Sequence, residues 1–86
     1  MLSQKVVLTA PNGMHARPAG ELVKLVKSLD GKILFATAAK EVSASSILAL
    51  LSLGLKCGTE FEVRADGGSE QENLQSVISF IENIKE

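Results

Sequence analysis

The single histidine of this chain, His15, lies two positions before Arg17 and three positions before Pro18. Upstream the residues are β-branched and apolar and favour a strand, and Pro11-Asn12-Gly13 form a turn cluster. Downstream the apolar residues follow the spacing of an amphipathic helix. Proline is well tolerated in the first helical turn, where its missing N–H costs nothing. We therefore expect a helix to begin at about Ala16, with His15 at its entrance.

This placement suits the chemistry of phosphate. The first amides of a helix have no helical partner, and the helix dipole is positive at that end, so an anion is bound there. Arg17 adds a forked, permanently charged donor for phosphate oxygens. A neutral imidazole can act as a nucleophile through a ring nitrogen. From these residues alone, two readings remain open for His15: a phosphoryl acceptor, or a solvated histidine in a turn.

The elements that would position these residues follow from the periodicity of the chain. Strand patterns cover residues 4–8, 32–36, 40–43 and 60–65, and helical patterns cover residues 16–29, 47–53 and a segment from residue 70 onward. Ser45 or Ser46 would cap the second helix, whereas Ser69 and Glu72 would form a capping box for the third. Along 60–65 polar and apolar residues alternate, which indicates a sheet with helices on one face only. We predict one α+β domain over residues 1–86, an antiparallel open-faced sandwich in the order βαββαβα.

Composition lowers the expectation for several classes of protein. The formal net charge is −1, and Trp and Tyr are absent, so no direct nucleic-acid binding is expected. No segment has the length of a membrane span or the features of a signal peptide, and we expect a cytoplasmic location without membrane contact. One cysteine, Cys57, cannot form an internal disulfide and marks no metal site. We interpret Cys57 as incidental, and no metal or cofactor is expected.

The second helical segment is apolar almost all round, and a short helix cannot bury every side. Leu50 and Leu53 are expected to fill the core. The remaining apolar side chains would form an exposed patch near His15, rimmed by basic residues, and such a patch is typical of a docking surface. The predicted partner contacts are Met14, Lys24, Lys27, Ile47, Leu48 and Leu51. Two alternatives to partner contact remain open. The apolar residues could instead pack in the core, and the lysines could be ordinary solvent-exposed charges.

Two segments resemble known motifs of one family. Residues 13–19, Gly-Met-His-Ala-Arg-Pro-Ala, resemble the active-site signature of HPr, the histidine-containing phosphocarrier family of the bacterial sugar phosphotransferase system; Met14 stands where the family usually has Ile or Leu. Residues 45–55 resemble the regulatory serine region of the same family, at the expected spacing. The resemblance implies that His15 is the phosphoacceptor, that Arg17 binds the phosphate, and that Ala16 and Pro18 begin the helix. It also implies the strand order 1-4-2-3.

The resemblance further implies a set of partners for a monomeric carrier. Enzyme I would donate the phosphoryl group, and enzyme IIA domains of sugar permeases would receive it. An HPr kinase/phosphorylase would modify Ser46, and the modified chain would bind a catabolite-control transcription regulator. From the residues alone, Ser46 is more simply a helix cap. Ala49 replaces a basic residue found in some family members, so electrostatic steering is expected to be weaker.

Three alternatives stay open at this stage. A nitrogen-branch paralogue would keep His15 but exchange phosphate with a different enzyme I. A pure regulator of the same fold would bind partners without carrying phosphate, although such members replace the histidine. An acylphosphatase-like hydrolase would need a water-orienting Asn and a Gly-rich loop around its Arg, which the sequence does not show. The sugars that are served cannot be identified from this chain.

Overall fold

The computed structural model describes residues 1–84 and shows the element order βαββαβα in that range. The strands are β1 (Leu2–Val7), β2 (Lys32–Ala36), β3 (Glu41–Ser43) and β4 (Glu60–Asp66). The helices are α1 (Ala16–Ser28), α2 (Ile47–Ser52) and α3 (Glu70–Glu82). All strand pairs are antiparallel, in the order β1-β4-β2-β3, which confirms the predicted fold class and strand order. The predicted domain of residues 1–86 also includes Lys85 and Glu86, which lie outside the described residues.

The core lies between the sheet and the helices. Phe61, Val63 and Ala65 of β4 are buried, and the ring centroid of Phe61 lies 5.0 Å from that of Phe35 on β2. Burial of one such large apolar side chain contributes about 1.5–3 kcal/mol. Glu62 and Arg64 alternate with these residues on the helix-free face, where Arg64 forms ion pairs with Glu62 and with Glu41 of β3. The alternation predicted for this strand is therefore observed.

The boundaries of β1, β3 and β4 differ from the prediction by one or two residues, most clearly at the starts of β1 and β3. β1 begins at Leu2 because Leu2 pairs with Ala65 of β4. β3 begins one residue later than predicted because the carbonyl of Lys40 accepts from the Thr37 amide at 2.8 Å and so belongs to the turn. The Thr37 hydroxyl accepts from the Ala39 amide at 3.2 Å and from the Lys40 amide at 3.3 Å. A threonine side chain thus stabilises this hairpin turn in place of the usual Asn-Gly pair.

The predicted capping box at the start of α3 is wrong. Ser69 occupies the N-cap position, but among the described residues its hydroxyl accepts no bond from the α3 amides. The carboxylate of Asp30, which follows α1, takes the role predicted for Glu72 by accepting from the Ser69 amide at 3.0 Å, and it also accepts from the Asn73 side chain at 2.8 Å. The acceptor for the Ser69 amide is therefore a carboxylate from a distant part of the chain and not the local Glu72.

The same corner requires glycine for close backbone approach. A Cβ atom placed on Gly31, just after Asp30, would lie 2.2 Å from the carbonyl oxygen of Gly67. Likewise, a Cβ atom on Gly68 would lie 2.5 Å from the carbonyl oxygen of Asp30. The turn after α1 and the turn before α3 therefore pack backbone against backbone, which lets the Asp30 carboxylate reach α3.

We predict that Asp30 makes stability depend on pH. Hydrogen bonds from Asn73 and from the amide and hydroxyl of Ser69 hold the pKa of Asp30 below its usual value. Its contribution is therefore fully present above the unfolded-state pKa of about 4, and is lost as the pH falls through the lower folded-state pKa. Glu70, whose pKa is lowered chiefly by the Gly67 amide, changes stability in the same direction.

The measurement is urea denaturation of the wild type and Asp30→Asn between pH 7 and pH 2. We expect the variant to unfold at lower urea at pH 7, and the difference to shrink below about pH 4. Asp66→Asn, which removes the same charge from the exposed end of β4, is the matched control and should change the midpoint little. A difference between wild type and Asp30→Asn that stays constant across this range would contradict the role of the carboxylate.

Candidate functional site

The loop that leads into α1 is held against a second loop by its backbone. The Gly13 amide donates to the Ala10 carbonyl and the Met14 amide donates to the Leu55 carbonyl, each at 3.0 Å. Gly13 has a φ of 70°, and a Cβ atom there would lie 2.5 Å from the Leu55 carbonyl oxygen. Both the left-handed conformation and the close approach therefore require glycine at this position. The turn fixes the direction in which the chain enters α1.

His15 is the N-cap residue of α1. Its backbone is extended, with φ −94° and ψ −176°, and its carbonyl accepts the first helical bond from the Ala19 amide at 3.0 Å. α1 begins at Ala16, as predicted, and Pro18 is buried in its first turn. Within the described residues, the His15 side chain does not cap an amide of this turn. An acceptor supplied from outside can therefore occupy the position over the helix start.

The imidazole of His15 is half-buried, and its two ring nitrogens differ in their exposure to solvent. Nε2 is buried, and in residues 1–84 it has no hydrogen-bond partner. Nδ1 is thus the ring nitrogen available to an incoming group. The adjacent Ala16 and Arg17, which are the first two residues of α1, are exposed.

The three apolar residues predicted to form a patch on α2 are exposed. Leu48 has 81% of its surface accessible, Ile47 has 41% and Leu51 has 37%. Leu50 is fully buried and Leu53 is partly buried, as predicted for core positions. We call Ile47, Leu48 and Leu51 the α2 patch.

The α2 patch adjoins α1 close to His15. A Cβ atom on Gly20 would lie 3.9 Å from Cδ1 of Ile47, so these two residues meet at the α1–α2 contact. Gly20 lies five positions after His15, which corresponds to about 7.5 Å along the helix axis. Arg17, Lys24 and Lys27 are exposed and follow the spacing that places them on the same side of α1 as Gly20. The basic residues therefore border the α2 patch on its α1 side.

Met14 was predicted as a partner contact, and the structure corrects this. Only 5% of its surface is exposed, and its side chain belongs to the hydrophobic core. The bond from its amide to Leu55 turns the chain so that the side chain points inward. Met14 therefore anchors the loop before His15 and is not available to a partner.

Ser46 lies at the start of α2. It is exposed and occupies the N-cap, where its hydroxyl accepts from the Ala49 amide at 3.3 Å. The neighbouring hydroxyls of Ser43 and Ser45 hydrogen-bond to each other at 2.8 Å. Of the two predicted candidates, Ser45 and Ser46, it is therefore Ser46 that caps α2.

Sequence reasoning missed the contribution of the loop around Leu55. The Gly13 turn was visible as a turn cluster, but no local pattern marks the Leu55 carbonyl as its partner, because the two positions are distant in the chain. In the part of the chain that the structure describes, no group of His, Cys, Asp and Glu residues could hold a metal ion. In that same part, no helix is both long and apolar enough to cross a membrane.

Comparisons with known proteins agree with this geometry. The family model described as PTS HPr component phosphorylation site matches residues 2–83. The phosphocarrier protein HPr of Haemophilus influenzae is 34% identical over 85 residues, covering 99% of this chain and 100% of that protein. The phosphocarrier protein NPr of Escherichia coli K12 is 39% identical over 79 residues, covering 91% of this chain and 88% of that protein.

The fold has close counterparts among solved structures. The crystal structure of HPr-C-His from Thermoanaerobacter tengcongensis superposes with a TM-score of 0.89 at 29% identity, covering 95% of this chain and 92% of that one. The match of the family model over almost the whole chain, together with relatives above 30% identity, decides the assignment: the chain belongs to the HPr family of phosphocarriers of the phosphotransferase system.

Proposed function

We propose that the chain accepts a phosphoryl group from phospho-enzyme I on Nδ1 of His15 and passes it to enzyme IIA components. The observation that carries this proposal is the placement of His15 as the N-cap of α1 without a capping bond from its ring. In the transfer step, the Nδ1 lone pair forms a bond to phosphorus while the bond from phosphorus to the donor breaks. The donor keeps that electron pair. The reverse movement onto the next acceptor regenerates the imidazole.

Phosphate binding would come from the first turn of α1. The Ala16 and Arg17 amides precede the first helical hydrogen bond, and the dipole is positive at this end. The Arg17 guanidinium can donate two parallel hydrogen bonds to phosphate oxygens. These groups stabilise the charge without forming a covalent bond, so the phosphoryl group is held and still leaves readily. Pro18 removes one competing amide and stiffens the turn.

Docking of protein partners would use the α2 patch. Its three residues keep between 37% and 81% of their surface accessible, whereas the fourth large apolar residue of the helix, Leu50, is fully buried. Exposed apolar clusters bordered by charged residues are typical of interaction sites. Lys24 and Lys27 would steer an acidic partner, although the absence of a basic residue at Ala49 leaves most of the contact apolar.

Ser46 is proposed as a regulatory phosphorylation site, modified by an HPr kinase/phosphorylase. Its hydroxyl is exposed and lies next to Ile47, at the border of the α2 patch. A phosphate there would add a charge of about −1.5 to −2 to an otherwise apolar contact surface. This charge would repel an acidic partner and slow transfer to His15. The modified chain would then be the form recognised by a catabolite-control regulator.

A nitrogen-branch paralogue is the second candidate within the same chemistry. The 39% identity to the phosphocarrier NPr supports it, whereas the match to the HPr of Haemophilus influenzae covers more of the chain at 34%. The two candidates differ in which enzyme I donates the phosphoryl group. They share the role of His15.

We predict that His15→Ala abolishes labelling. Incubation of the wild type with phosphoenolpyruvate and the enzyme I of the same genome, followed by intact-mass measurement, should give one acid-labile phosphate. His15→Ala should give none because it removes the only imidazole. Ser46→Ala is the matched control and should be labelled like the wild type. Labelling that survives in His15→Ala would refute the site, and continuous phosphate release from acyl phosphate would favour a hydrolase.

We predict an acid-stable phosphate on Ser46 when the chain is incubated with ATP and an HPr kinase/phosphorylase. The modified chain should accept phosphate from enzyme I more slowly, because the new charge lies beside the α2 patch. Ser45→Ala, one position earlier, is the control and should still be modified. Ser46→Ala should remain unmodified and lose about 0.5–1 kcal/mol of stability with its cap. An acid-stable phosphate that persists in Ser46→Ala would exclude this serine as the target.

A further inference from the structure

The α2 patch is carried by a very short helix. α2 has six residues, and helices of fewer than about 12–15 residues are marginal on their own in water. Leu50 anchors its buried side. The direction of Leu48 and Leu51 therefore depends on how the two ends of α2 are held.

Each end of α2 is held by a side chain, and both contacts converge on Ala49. At the start, the Ser46 hydroxyl accepts from the Ala49 amide. At the end, the Ser52 hydroxyl donates to the Ala49 carbonyl at 2.6 Å. The ammonium of Lys40 donates to the Ser52 hydroxyl at 3.0 Å. Lys40 thus closes a chain of hydrogen bonds that runs from the β2–β3 turn to the last turn of α2.

Lys40 brings a charge that α2 lacks. In the segment Ile47–Ser52 the last turn contains no basic residue, although a cation near the C-terminal end of a helix is stabilising. The position of Lys40 is set by the turn that precedes β3. Its amide donates to the Thr37 hydroxyl and its carbonyl accepts from the Thr37 amide. The turn therefore holds the Lys40 backbone in place and limits where its side chain can reach.

We propose that Lys40 is a positioning residue for phosphoryl transfer, acting through Ser52 to hold the end of α2 and so the orientation of the α2 patch. This inference rests on the proposed function, because it assigns the α2 patch to partner docking. Lys40 need not touch the phosphoryl group or the partner. Lys40 sets the fraction of molecules in which α2 is ordered and Leu48 and Leu51 have the orientation that a partner binds.

A direct contact between Lys40 and the partner would also reduce binding when Lys40 is changed. The two explanations differ at Ser52. If Lys40 acts through Ser52, removal of either group has the same effect, and the double change adds nothing. If Lys40 contacts the partner directly, Ser52→Ala leaves binding unchanged.

The test is a double-mutant cycle with Lys40→Met and Ser52→Ala, using the carrier as the substrate of enzyme I. We expect KM to rise about two- to fivefold in each single variant and equally in the double variant, with kcat unchanged. Lys40→Arg, which keeps a donor and the charge, should restore most of the wild-type KM. Lys32→Met removes the same charge from the opposite end of the β2 strand and is the control, with an expected KM like that of the wild type.

A second measurement does not require a partner. Hydrogen exchange at the amides of Leu53 and Gly54, which donate to the Leu50 and Leu51 carbonyls, should speed up in Lys40→Met and Ser52→Ala. A wild-type KM in Ser52→Ala, additive effects in the cycle, or unchanged exchange would overturn the inference. Failure of enzyme I to label the wild-type chain would instead refute the proposed function, and the exchange data would still decide the role of Lys40.

Discussion

The close approach of the Gly13 backbone to the Leu55 carbonyl determines how the chain enters α1. A side chain at residue 13 would collide with that carbonyl, and the positive φ of Gly13 is unfavourable for other residues. The Met14 amide is bound to the same carbonyl, and its side chain is buried below. His15 therefore leaves the loop in an extended conformation and becomes the N-cap of α1. The position of the imidazole at the helix start follows from a backbone contact.

The proposed functional surface has two parts, which are held in place by different kinds of hydrogen bond. His15, the proposed phosphoacceptor, lies between a loop fixed by backbone hydrogen bonds and a helix of 13 residues. The α2 patch stands on a helix of six residues whose ends are held by side chains. The contact between Gly20 and Ile47 joins the two parts, so a partner that docked on α2 as proposed would lie close to α1. A change at either end of α2, including a phosphate on Ser46, would alter docking without disturbing the chemistry at His15.

The sequence predicted the features that depend on local periodicity. The order of elements, the start of α1 at Ala16, a serine cap at residue 45 or 46 and the exposure of Leu48 all follow from spacing and capping patterns. The features that it missed depend on contacts between distant segments. Asp30 replaces the local capping box at Ser69 because the turns after α1 and before α3 pack backbone to backbone. Met14 is buried because the hydrogen bond from its amide to the Leu55 carbonyl, in a remote loop, turns its side chain inward. No sequence pattern around His15 indicates that bond.

The central claim is that a phosphoryl group on His15 is bound by the first amides of α1. The most direct test compares proton–nitrogen NMR spectra of the chain before and after phosphorylation by enzyme I. The amide protons of Ala16 and Arg17 should shift strongly downfield, because they would donate to phosphate oxygens. Amides on the distant strand β1, such as Lys5, should stay in place. A phosphorylated chain in which the Ala16 and Arg17 amides do not move would contradict the claim.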